Sequence, residues 1–300
     1  MNIDALKTFL LVAEQSSFSG AAARLQITQP AVSRRIATLE EELAVQLLDR
    51  ADKTVSLTEA GRTLVARARL ILEEIERTRE LLQQETSEIS GKLLLVTNHH
   101  IGVWRLPALL KTFSQRFPEV SLELQFLDSE AAARSVADGE AELALVTLPP
   151  ARLAKCEYLK VWDETLSFVT AREDTLLRET SLNMETLARY PAVLPDMTTL
   201  TGRIIRQAFS RRGLTPKVSS STNYLETLKM LSSIGMGWTL IPDSMVDSSL
   251  TVIDVNEPSP TRALGFMYLK HRTLSSGSRA FIQMVMDGRH QADDQPVPSA

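Results

Sequence analysis

Residues 17–36 read Ser17-Phe18-Ser19-Gly20-Ala21-Ala22-Ala23-Arg24-Leu25-Gln26-Ile27-Thr28-Gln29-Pro30-Ala31-Val32-Ser33-Arg34-Arg35-Ile36. The hydroxyls of Ser17 to Ser19 offer caps for a short helix over Gly20 to Leu25, whose three alanines permit a close neighbour. Gln26-Ile27 make a brief turn. Thr28 then offers an N-cap, and Pro30 falls in the first turn, where its missing N–H costs little. Val32, Ile36, Leu39 and Leu43 follow at spacings of 4, 3 and 4, which predicts a third helix running to about Leu43. Upstream, Leu6, Phe9, Leu10 and Ala13 stand at i, i+3, i+4 and i+7, so residues 4–14 form a first helix. Two short helices joined by a tight turn, the second capped and started by Pro, match the helix-turn-helix that reads DNA.

The polar side of the third helix carries suitable chemistry. Gln29, Ser33, Arg34 and Thr38 lie away from its apolar face. Gln can bond adenine bidentately, Arg can bond guanine, and Ser reaches phosphate or base. Residues 48–58 alternate Thr54, Ser56 and Thr58 with Val55 and Leu57, a small hairpin turning at Asp52-Lys53. Its tip, Arg50 to Lys53, forms a wing over the sugar–phosphate backbone. Thr58 caps a long helix that continues to about Glu88. Along it Leu64, Ala68, Ile71, Ile75, Thr78 and Leu82 are spaced 4, 3, 4, 3 and 4, a seam suited to pairing with another helix.

From Gly91 the rhythm changes to strand–helix alternation. Strands are expected at 92–97, 120–127, 142–147, 166–171, 192–194, 217–221, 238–241, 250–255 and 263–269. Helices are expected at 106–117, 129–138, 184–189, 201–212, 224–234 and 278–286. Such alternation predicts an α/β fold with a largely parallel sheet, and its length predicts two lobes. The polar end of the chain, with Pro296 and Pro298, is expected to be a disordered tail over 288–300.

Composition constrains the class of function. The 300 residues carry 33 Lys and Arg against 37 Asp and Glu, a net charge of -4. The first 90 residues hold 11 basic and 14 acidic side chains, so summed charge does not advertise a nucleic-acid partner. The signs are sorted, however: Arg34, Arg35, Arg50, Lys53, Arg62, Arg67 and Arg69 precede an acidic stretch from Glu73 to Glu88. One face of a small domain decides binding, not the total. Apolar runs are far shorter than the roughly 20 residues that span a bilayer, so no membrane partner is expected. No secretory signal is visible, and the single cysteine, Cys156, suits a reducing compartment; a cytoplasmic protein is expected. No coherent nucleophile–base pair stands out, which disfavours an enzyme. Adjacent His99-His100 lack the i, i+4 spacing of helical metal ligands, so no metal is expected. Trp104, Trp162 and Trp238 read as packing residues.

Several motifs together resemble the LysR-type transcriptional regulators. They are Phe9-Leu10-Leu11-Val12-Ala13-Glu14, the run from Ser17 to Leu25, Thr28-Gln29-Pro30-Ala31-Val32-Ser33, Ile36-x-x-Leu39-Glu40 and Leu57-Thr58-Glu59-Ala60-Gly61. Later landmarks are Leu106-Pro107, Phe117-Pro118, Gly139 to Ala144, Thr201-Gly202-Arg203 and Gly235-Met236-Gly237-Trp238-x-x-Ile241-Pro242. In place of the family's Phe-x-Arg before the wing, this chain has Leu48-Asp49-Arg50. The resemblance implies a winged helix-turn-helix over 1–58, a linker and dimerisation helix over 59–90, and a two-lobed effector domain over 91–287, like a periplasmic binding protein. It places Gln29, Pro30, Ser33 and Arg34 against the major groove and Arg50 and Lys53 on the wing. It implies that Leu64, Ile71, Ile75 and Leu82 pair two chains, giving a homodimer or homotetramer on double-stranded promoter DNA, with RNA polymerase a further candidate partner.

The effector domain suggests a ligand site. In open α/β sheets, ligands bind at the carboxyl ends of strands, against helix N-termini. Asn98, His100, Thr147, Thr201 and Gly202 fall at such places, and the segment from Thr201 is similar to the cysteine-biosynthesis branch of the family, whose hydroxyl residues are replaced here by Asn98 and His100. A small, anionic metabolite is the effector expected, with no cofactor. The alternative is a solute-binding protein with a helical N-terminal extension; it calls for a signal peptide, which the first 20 residues do not resemble.

Overall fold

The computed structural model describes residues 1–49, 55–83 and 89–292. The chain forms two compact units, built mainly on residues 1–88 and on the remainder.

The N-terminal unit comprises α1 (Ile3–Gln15), α2 (Phe18–Leu25), α3 (Gln29–Leu43), β1 (Leu48–Asp49), β2 (Ser56–Leu57) and α4 (Glu59–Gln83). Local chemistry sets each boundary. The Asn2 side chain accepts from the Ala5 amide at 2.7 Å, and the Ser17 hydroxyl accepts from the Gly20 amide at 3.1 Å. Thr28 occupies the N-cap of α3, yet its side chain makes no capping bond. Pro30 removes one of the two amides such a cap would serve, and the other, Ala31, donates to the Thr28 carbonyl. Three helices end in left-handed residues that are not glycine: Ser16, Gln26 and Ala44. Phe9, Val12, Ala21, Val32, Ile36 and Leu39 make a closed core, while Leu43, expected on the same apolar stripe, is exposed at the end of its helix.

The hairpin pairs Leu48 with Leu57 and Asp49 with Ser56. Leu48 is buried in the helical core. Glu40 fixes the entry to the hairpin, because one carboxylate oxygen accepts from the Leu47 and Leu48 amides at 2.8 and 3.1 Å. Thr58 caps α4 as expected, accepting from the Gly61 amide at 3.0 Å. Gly61 is required there: a Cβ would sit 2.1 Å from the Leu47 carbonyl oxygen.

The C-terminal unit begins with β3 (Gly91–Thr97), α5 (His99–Trp104), α6 (Leu106–Arg116), β4 (Val120–Phe126), α7 (Ser129–Ala137) and β5 (Leu143–Thr147). It continues with β6 (Cys156–Ala171), α8 (Met184–Arg189), β7 (Pro191–Leu194), α9 (Leu200–Ser210), β8 (Lys217–Ser221) and α10 (Leu225–Ser233). The last elements are β9 (Thr239–Pro242), β10 (Leu250–Val252), β11 (Thr261–Leu269) and α11 (Ser276–Ala292).

Two lobes are built on these strands. In the first, β3 pairs parallel with β4 and β5, and β11 lies antiparallel between β5 and β6. In the second, β9 and β10 flank the far half of β6, both antiparallel, and β7 pairs parallel with β8. The sheet is therefore mixed, not largely parallel as the strand–helix rhythm suggested. β9, β10 and β11 all run against β6, and β11 runs against β5 as well.

Phe113, Phe266 and Phe281 centre the core of the first lobe, and Phe168, Phe209 and Trp238 that of the second. Trp238 stacks on Phe209 at 5.5 Å, and its indole N–H donates to the Leu187 carbonyl at 2.8 Å.

Three elements differ from expectation. β6 begins ten residues before 166; the charges at Glu157, Lys160, Asp163 and Glu164 fall about every third residue and hide the strand period of two. The short α5 escapes periodicity altogether. Gly102 lets it approach β4, where a Cβ would meet the Phe126 ring at 2.3 Å. Finally, α11 runs to Ala292, so residues 288–292 are helical rather than part of a disordered tail; 293–300 lie outside the described residues. Among the described residues, no helix is long and apolar enough to cross a membrane.

Candidate functional site: a recognition helix and an inter-lobe cleft

Gln29, Pro30, Arg34 and Thr38 all stand exposed on α3, with Ser33 half-buried among them. The Gln29 amide donates to the Ser33 hydroxyl at 3.2 Å, which orients the pair along one helix face. Arg35, one residue on, turns inward and donates to the Thr8 hydroxyl at 3.3 Å, tying α3 to α1. Thus Arg34 is the outward cation and Arg35 a structural one. Arg50 and Lys53, expected on the wing, lie outside the described residues.

The α4 seam requires a correction. Ala68 is fully buried in the core of its own winged domain, and Leu64 and Ile71 pack against that same core. The early part of the seam, expected to pair with another helix, thus also serves packing within its own chain, because α4 lies along α1 within the unit. Ile75 is half-buried and continues the stripe towards Leu82, of whose side chain nothing is described.

In the C-terminal unit, Asn98, His100, Thr147 and Thr201 converge on one cleft between the lobes. Asn98 does two jobs: its oxygen caps α5 by accepting from the Ile101 amide at 2.9 Å, and its NH2 donates to the Ser129 hydroxyl at 3.0 Å. Thr201 sits in the first turn of α9, where helix geometry leaves the Leu200 and Thr201 amides without an intrahelical acceptor.

Gly202 does not join them. Its amide already donates to the Thr199 hydroxyl at 3.1 Å, and it does not line the cleft. Its role is clearance: a Cβ would lie 2.1 Å from the Asp196 carbonyl oxygen.

The floor of the cleft is an ionic network that neither periodicity nor motif identified. Glu164 of β6 is register partner to Arg262 of β11. Arg262 donates to one Glu164 oxygen through Nε at 2.8 Å and through a terminal nitrogen at 2.6 Å. The other Glu164 oxygen meets His100 Nε2 at 2.9 Å, with Arg105 at 3.6 Å. The remaining Arg262 arm donates to the Thr201 hydroxyl at 2.7 Å. His100, Glu164, Arg262 and Thr201 are all buried. Burial alone would raise the Glu164 carboxyl, but the His100 hydrogen bond and the Arg262 charge bring it down to about 2.

Around the rim, contacts join the two lobes. Glu226 of α10 accepts from the Trp104 indole at 3.0 Å and lies 3.3 Å from His99 Nδ1. Trp104, expected to be a packing residue, is exposed and performs this bridging task. Arg203 reaches Glu130 at 3.4 Å. The space enclosed is about 70 Å³, room for a few waters. Cys156 is buried, and burial raises its thiol pKa, so it is no ready nucleophile.

Residues 3–62 match the family model of the bacterial regulatory helix-turn-helix protein, lysR family, and residues 86–289 match the LysR substrate binding domain. The chain belongs to the LysR family of transcriptional regulators. It is a DNA-binding regulator with an effector domain, not an enzyme. A transcriptional regulator of Azotobacter vinelandii is 52% identical over 107 residues, 36% of this chain and 74% of that one. A Bacillus subtilis regulator is 26% identical over 289 residues, covering 95% and 98% of the two chains.

Among solved structures, full-length OxyR from Pseudomonas aeruginosa superposes with a TM-score of 0.74 at 22% identity, over 97% of this chain and 95% of that one. CbnR complexed with its target DNA gives 0.63 at 20% identity, over 96% and 99%. Both share the fold: an N-terminal helix-turn-helix and a two-lobed α/β domain.

Proposed function

We propose that this LysR regulator reads promoter DNA through Gln29, Pro30, Ser33, Arg34 and Thr38 of α3, with Arg50 and Lys53 on the wing. Two chains pair through α4, from Ile75 towards Leu82, so that two winged domains address a partly symmetric site. Leu64 and Ile71 support that pairing from within each winged domain. The protein acts in the cytoplasm as a dimer or tetramer and hands its signal to RNA polymerase.

The effector is a small anion held in the cleft by Asn98, His100, Thr147 and Thr201. One observation carries this reading: the free first-turn amides of α9 face a cleft whose floor holds the Arg262 guanidinium. Asn98, Ser129, Asn223 and Tyr224 add side-chain donors to the lining, with Asp128 and Glu130 the carboxylates at its edge. The likeness to the cysteine-biosynthesis branch rests on Thr201-Gly202-Arg203. With Asn98 and His100 in place of hydroxyls, the amide and imidazole favour an acceptor-rich ligand.

Ligand binding demands that the lobes part, since the cleft holds only about 70 Å³. Any ligand that prefers one lobe arrangement shifts the balance between arrangements by its difference in affinity. The test is a thermal-shift titration of the full chain with acetate, oxalate and sulfate against neutral acetamide. Anions should raise the midpoint, Thr201→Ser should respond like the wild type, and Asn98→Ala should respond less. Stabilisation by acetamide equal to that by acetate would overturn the anionic assignment.

A further inference from the structure

A second and larger cavity, of about 700 Å³, adjoins the cleft in the C-terminal unit. Its walls come from the β5–β6 connection, the start of β11 and one side of α9. Leu148, Pro149, Ile204 and Ala263 give it an apolar floor. Around that floor stand Arg152 and Lys160 from the first lobe and Arg203 and Arg206 from the second. No carboxylate lines it.

The cations have exposed partners. Arg152 lies over the Tyr158 ring at 5.4 Å. Lys160 pairs with Asp163 at 2.9 Å, and Arg203 pairs with Glu130 at 3.4 Å and donates to the Thr198 carbonyl, all on partly or fully exposed side chains. Exposed pairs of that kind contribute about 0–1 kcal/mol and yield readily to a better partner. Arg206 stands exposed on α9.

We propose that this cavity binds a multivalent organic anion at a site separate from the cleft. Its volume lies within the roughly 300–1,000 Å³ of small-molecule sites, and its form is theirs: an apolar floor with a few converging polar groups. Cations on two lobes favour a ligand with two or more negative groups set apart on a compact body, such as a tricarboxylate or a phosphorylated metabolite. A nucleic-acid backbone would call for a basic track rather than a concave apolar floor.

The site does not depend on what the cleft binds, but the two communicate. Thr147, Leu200 and Arg262 line both spaces, and α9 carries the cleft's amides on its end and Arg203 and Arg206 on its side. An anion drawing Arg152 towards Arg206 therefore acts on the same lobe arrangement that the cleft ligand selects.

Isothermal titration of the full chain with citrate and with pyrophosphate, against acetate at equal ionic strength, tests the assignment. At least one multivalent probe should bind saturably. Arg152→Ala/Arg206→Ala, which truncates two exposed side chains, should weaken it by roughly tenfold or more. Asn98→Ala, at a residue that lines the cleft and not this cavity, should leave that affinity within about twofold of wild type. The proposal is overturned if neither probe binds at millimolar concentration, or if the double variant binds like the wild type. It is equally overturned if Asn98→Ala abolishes binding, which places the anion in the cleft. Lost operator affinity with unaltered citrate binding would instead make the cavity a nucleic-acid contact.

Discussion

Arg34 and Arg262 are the same residue under opposite conditions. Arg34 stands exposed on the face of α3 proposed to meet DNA. Arg262 is buried, with all its bonds to Glu164 and Thr201 already made. An exposed cation costs little to keep and earns its place only when a partner arrives. A buried one is bound to its counter-charge, and removing either leaves the other stranded in low dielectric. The first is proposed to read DNA; the second ties β11 to β6 and α9.

That contrast can be broken most forcefully at Arg262. Arg262→Met should destabilise the C-terminal unit by roughly 3–5 kcal/mol, the usual loss when one member of a buried ion pair is removed. A denaturation midpoint for that unit within about a degree of wild type would show that the network contributes little to the fold.

Acid probes the same network without a mutation. Glu164 titrates at about 2 in the folded protein against 4.5 ordinarily, so its contribution is present above 4.5 and is lost as pH falls towards 2. The unit should weaken across that window, and Glu164→Gln should flatten this part of the profile. An unaltered profile in the variant would assign the acid sensitivity to other carboxylates.

Arg34→Ala should be invisible to both measurements. Its effect belongs to DNA: a loss of about 1–3 kcal/mol in selective operator affinity, with the thermal midpoint unchanged. Wild-type selectivity in that variant would remove Arg34 from the reading face. The smallest effect is expected at Ala44, held at φ 52 at the end of α3. Ala44→Gly should stabilise the winged unit by about 0.5–1 kcal/mol, since glycine adopts the left-handed region without the methyl clash. A lower midpoint would mean that the flexibility gained by the unfolded chain dominates.

The two arginines also mark where sequence reasoning succeeds and stops. Arg34 is legible because helical period sorts outward from inward residues over a few turns, and caps at Ser17 and Thr58 punctuate those turns. Arg262 and Glu164 are 98 residues apart, and no local pattern says that two strands will place them side by side. The first half of β6 was missed for the same reason, because Glu164 looks like a loop carboxylate until its partner is known. The α4 seam is a different case. A 3-4 spacing reports that a helix covers something apolar but not whether that surface belongs to its own chain, and Ala68 shows that here part of it does. That Asn98, His100, Thr147 and Thr201 share one cleft is legible from their places at strand ends and helix starts, whereas the position of Gly202 required the actual clearance to Asp196.

β6 belongs to both lobes. Its early residues pair with β11, its late ones with β9 and β10, and the chain crosses back only once, where Arg262 meets Glu164. The second lobe, from the late half of β6 to β10, is one continuous piece of chain, whereas the first is completed only when β11 and α11 return to it. A ladder of two hydrogen-bonded strands resists stretching and sliding but yields to twist and bend. Whatever occupies the effector domain, the message it can send is therefore narrow. Chemical identity at the ligand end reaches the rest of that domain as little more than an angle between its lobes.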